Sequence, residues 1–138
     1  MSSAHRRGAG ATVSLCRGCC CGHLRKHPHT DHLAQAAGLR ELAATSGGAV
    51  SFRTTDCLGP CSLGNVVVVS PSARGRAAGA RPVWFGLVTD AERTESITAW
   101  VTAGGPGVAP LPPDLDLLLI EAPRPPERPS RRGRARAR

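Results

Sequence analysis

Apolar and polar positions alternate through residues 11–16 (ATVSLC), which predicts a strand that ends on a cysteine. Residues 17–29 contain Gly18, Gly22 and Pro28 and read as a loop. Beyond it Thr30 is placed as a helix cap with Asp31 in the first turn. Leu33, Ala36, Ala37, Leu39, Leu42 and Ala43 then recur at helical spacing until Gly47-Gly48 stops the helix. In residues 49–56 Val50, Phe52 and Thr54 share one face of a second strand, and Cys57 follows at its end. Residues 66–69 (VVVV) form a continuous β-branched run, the pattern of a strand covered on both faces. Residues 71–81 read as a Gly/Arg/Ala loop and residues 82–88 as the next strand. Thr89 and Glu92 then make a capping box for a helix whose apolar face is Ile97, Trp100 and Val101 and whose stop is Gly104-Gly105-Pro106.

The order is therefore β-α-β-β-β-α. It describes an α/β domain with a mixed four-stranded sheet and two helices. Residues 1–10 are expected to be a disordered leader, 11–105 the folded domain, and 106–122 a Pro-containing extension. After the proline linker at 110–113, residues 115–120 can add a short edge strand. Residues 123–138, rich in Pro and Arg, are expected to be a disordered basic tail.

Composition changes this picture in two places. With two Phe, two Trp and no Tyr, the core must rest mainly on Val, Leu, Ile and Ala. The net charge of +8 invites a nucleic-acid reading, yet seven Arg against Glu127 alone supply +6 of it between residues 124 and 138. The body carries only the remaining +2, and no aromatic residues are interleaved with the tail's arginines, so a nucleic-acid partner is not expected. Six cysteines would suit three disulfides in an exported protein. The first ten residues are polar, the apolar run behind them is too short for an export signal, and no stretch approaches the ~20 apolar residues of a membrane span. A cytoplasmic protein without a membrane partner is expected, in which clustered cysteines hold metal or do redox chemistry.

Cys57-x3-Cys61 follows one predicted strand; Cys16, with Cys19, Cys20 and Cys21, follows another. Parallel strands of a βαβ unit bring their C-terminal ends to one edge of the sheet, so the two groups can converge there. Thiolates held at about 2.3 Å from a metal need such loops, because their sulfurs must approach within about 4 Å of each other. Zinc is one candidate, since Cys16-x2-Cys19 is a zinc-like bite and His23, His27, His29 and His32 lie nearby. A basic-tailed, zinc-stabilised binding module would follow. Cys16-Arg17-Gly18-Cys19 is also a CxxC, the mark of a thiol-disulfide oxidoreductase, although a Pro-containing loop stands where such a motif would open a helix.

Taken as Cys16, Cys21, Cys57 and Cys61, the pattern C-x4-C-x35-C-x3-C resembles the cluster motif of the thioredoxin-like 2Fe-2S ferredoxins. Its spacing is similar to that of the small iron-sulfur subunit of bacterial NADH:quinone oxidoreductases. The resemblance covers roughly residues 11–105. It implies a thioredoxin-like fold and a 2Fe-2S cluster, with Cys16 and Cys21 on one iron and Cys57 and Cys61 on the other. Cys19 and Cys20 are alternatives to Cys21. It further implies a small electron carrier rather than an enzyme, exchanging electrons with unidentified donor and acceptor proteins, and often homodimeric.

Overall fold

The computed structural model describes residues 10–16, 32–55 and 65–122. Residues 1–9 of the expected leader, the expected basic tail and residues 17–31 and 56–64 lie outside these. Along the described chain run β1 (Ala11–Cys16), α1 (His32–Thr45), β2 (Val50–Thr55), β3 (Val67–Ser70), α2 (Ala73–Ala77), β4 (Val83–Phe85), α3 (Ala91–Thr102), α4 (Pro113–Asp116) and β5 (Leu119–Ile120). The protein is α/β with one mixed, open sheet in the order β2-β1-β3-β4-β5. β1 and β2 are parallel, as a βαβ crossover through α1 requires, and the other three pairings are antiparallel.

The period-two pattern of β1 sorts its residues cleanly. Ala11, Val13 and Leu15 enter the main core with Val67, Val69 and Phe85, while Ser14 and Cys16 turn to the other face. The main core is closed by Ala36 and Leu39 of α1, Ile97, Trp100 and Val101 of α3, and Leu115 of α4. Phe85 and Trp100 meet edge to face, with ring centroids 5.9 Å apart and planes at 89°. All four valines of the VVVV run are buried, Val67 and Val69 in the main core and Val66 and Val68 in a smaller cluster with Cys16, Trp84 and Ile120. The run is thus covered on both faces, as its lack of alternation implies.

Several boundaries differ from the sequence expectation. The sheet has five strands rather than four, because Leu119–Ile120 pairs with β4 (Trp84↔Ile120, Phe85↔Leu119). Among the described residues four helices stand where two were expected. Within residues 71–81, Ser72 caps a short helix by accepting from the Gly75 amide at 3.1 Å. Gly75 lies so close to Pro106 that a Cβ there would stand 2.2 Å from its carbonyl oxygen. The end of the proline linker starts α4, with Pro112 as its cap and Pro113 in its first turn, and α4 buries Leu115 completely in the main core.

Helix α3 is capped one residue later than the Thr89–Glu92 box suggests. Asp90 Oδ1 accepts from the Arg93 amide at 2.8 Å. A carboxylate at that place both satisfies an end amide and faces the positive end of the helix dipole, an advantage a threonine hydroxyl lacks. Strand β4 ends at Phe85 instead of continuing to Val88, because Leu87 takes a left-handed backbone with φ of 56°. The β3–β4 register would place Leu87 opposite Asn65, which is left-handed as well (φ 40°), so the ladder cannot extend past Val67↔Phe85.

Candidate metal centre

Parallel pairing sets Cys16, the last residue of β1, beside Thr55, the last residue of β2. On its other side the Cys16 amide donates to the Val66 carbonyl at 3.0 Å. The segment carrying Cys19, Cys20 and Cys21 therefore leaves the sheet at Cys16. The segment carrying Cys57 and Cys61 leaves at Thr55 and returns at Asn65, on the two sides of Cys16. All three points lie on one rim. A cleft of about 370 Å³ lined by Gly10, Gly48, Ser72, Arg74 and Thr102 lies at the opposite end of β1, a strand's length away.

Of the candidate ligands Cys16 and, for the zinc reading, His32 fall among the described residues; Cys19, Cys20, Cys21, Cys57 and Cys61 lie outside them, as do His23, His27 and His29. Cys16 is 1% exposed and packs with Val66 and Val68 on the face away from α1 and α3. Among the described residues no three His, Cys, Asp or Glu side chains come together. His32 is buried at the first turn of α1. No described helix is long and apolar enough to cross a membrane.

Register partners share a face of the sheet, and one hydrogen bond fixes which face β2 gives to this rim. Arg53 Nε donates to Ser14 Oγ at 2.9 Å, so Arg53 and, two residues on, Thr55 lie on the side that carries Ser14 and Cys16. Thr55 Oγ1 is buried there with no hydrogen-bond partner among the described residues.

Behind the rim a polar node ties three segments together. The Val88 carbonyl accepts from Gln35 Nε2 of α1 at 2.9 Å and from Asn65 Nδ2 at 3.0 Å, while the Val88 amide donates to the Asn65 carbonyl at 3.3 Å. Gln35 Nε2 also reaches Thr94 Oγ1 of α3 at 3.1 Å. The positions where both cysteine-bearing segments rejoin the body, the start of α1 and Asn65, are in this way anchored to the same carbonyl. The Arg93 guanidinium donates to the Leu87 carbonyl at 2.6 Å and helps hold the left-handed turn.

Neither Gln35 nor Asn65 stands out in the sequence. A polar residue on a helix and an Asn after a Gly give no signal of burial; Asn65 shows only the turn propensity that suits its positive φ. Replacing Asn65 by Ala should cost about 2–4 kcal/mol in urea unfolding. The change removes a buried hydrogen bond and leaves a β-carbon residue without side-chain support in left-handed space. Asn65→Gly, which accepts the backbone, should cost measurably less; equal losses would contradict the assignment of strain at this position.

Compared with known proteins, the chain matches no family model, no curated protein and no solved structure.

Proposed function

We propose that the protein is a small electron carrier of the thioredoxin-like 2Fe-2S ferredoxin type, in which Cys16, Cys21, Cys57 and Cys61 hold the cluster. The observation that carries this reading is the side-by-side placement of Cys16 and Thr55 at the ends of parallel strands. Cys57 follows Thr55 by two residues, and a trans chain advances at most ~3.3–3.6 Å per residue. It therefore starts within reach of Cys16 however the intervening backbone turns. Cys61 is likewise bounded by Asn65, whose neighbour Val66 accepts from the Cys16 amide. Antiparallel β3 and β4 beside the parallel β1-α1-β2 unit, followed by α3, supply the hairpin and helix that a thioredoxin-like scaffold needs.

The donor set fits the group. Thiolates on closely spaced loop cysteines are the ligands of such clusters, and the cluster supplies one-electron transfer when bound. The chain's own contribution is to fix the rim. β1 and β2 set where each segment departs, the Val88 node sets where each returns, and the apolar packing of Cys16 against Val66 and Val68 keeps water from one side of that sulfur. Redox donor and acceptor proteins are the partners this role requires, and a homodimer is the assembly the resemblance suggests.

Anaerobically purified full chain is expected to be red-brown, with visible charge-transfer absorption that bleaches reversibly on addition of one electron. A colourless protein with stoichiometric zinc would replace this reading with the zinc-stabilised module. Reductase activity that survives chelation and is lost on thiol alkylation would replace it with a thiol-disulfide enzyme.

A further inference from the structure

We draw no further inference here: the strongest candidate, the cleft of about 370 Å³ at the end of β1 away from the cysteine rim, ends at Gly10, the first described residue, and has the exposed Arg74 as its one charged lining group, so nothing in the structure shows what fills it.

Discussion

Cys16→Ser is expected to empty the chain of iron. Cys16 closes β1 at the point where both cysteine segments meet the sheet, and an alcohol is far less acidic and softer metals bind it poorly, so the substitution removes a ligand without changing the side chain's size much. Iron per chain should drop to near zero, and the visible absorption with it. The metal-free fold should survive, because the thiol sits at 1% exposure among Val66 and Val68 and a hydroxyl there costs only about 1–3 kcal/mol. Cys21→Ser, Cys57→Ser and Cys61→Ser should behave alike towards iron, while Cys19→Ser and Cys20→Ser keep their colour. If Cys16→Ser retains full iron and absorption, Cys16 is a core thiol and the ligand set is wrong. If Cys21→Ser retains them and Cys19→Ser or Cys20→Ser does not, the alternative ligand is identified.

Phe85→Ala should be the most damaging substitution to the fold itself. The ring is fully buried, meets Trp100 edge to face, and lies where β3, β4 and β5 join, paired to Val67 on one side and Leu119 on the other. Truncating such a ring costs about 3–5 kcal/mol from lost transfer and the cavity left behind. Trp100, the ring it meets, is itself held by its Nε1 donating to the Ala109 carbonyl at 3.0 Å, so moving it into the space would cost that hydrogen bond. Against a total of ~5–15 kcal/mol for a native domain, this leaves the protein marginal. The midpoint of urea unfolding should fall accordingly at constant slope. Phe85→Leu, which keeps most of the volume, should recover more than half of the loss. A Phe85→Ala loss below about 1 kcal/mol would show that the core is not organised around this residue.

The strand-helix-strand opening of the fold is legible because its signals are local. Alternation in β1, helical spacing in α1, the Gly47-Gly48 stop and the VVVV run each survive into the structure. What the sequence hides is set by distant partners. The apolar stripe assigned to α1 includes Leu33 and Ala37, yet both face outward, Leu33 at 85% exposure. The buried face runs through His32, Gln35, Ala36 and Leu39 instead. Gln35 can occupy an inward position because Val88 and Thr94, more than fifty residues away in the chain, accept its amide protons. No pattern within the helix carries that information.

The same holds for the ends of elements. Residues 82–88 are uniformly suited to a strand, and only the left-handed pair Asn65 and Leu87 stops it at Phe85. The proline-rich stretch reads as a linker because prolines break strands and helix interiors. At the first turn of a helix they cost nothing, and there α4 uses them to deliver Leu115 to the core. For the candidate centre, the motif in the sequence points to the cysteines, and the register then adds what the motif lacks. It puts Cys16 beside Thr55, two residues before Cys57, at the ends of parallel strands.

The claim on which the rest depends is that sulfurs from the Cys16 segment and the Cys57–Cys61 segment close on one cluster at this rim. It is tested most directly by counting iron and acid-labile sulfide in the anaerobically purified, full-length chain. Equal amounts, approaching two of each per chain, are the expected result. Protein that is folded yet contains neither, after reconstitution with ferrous iron and sulfide, would contradict it.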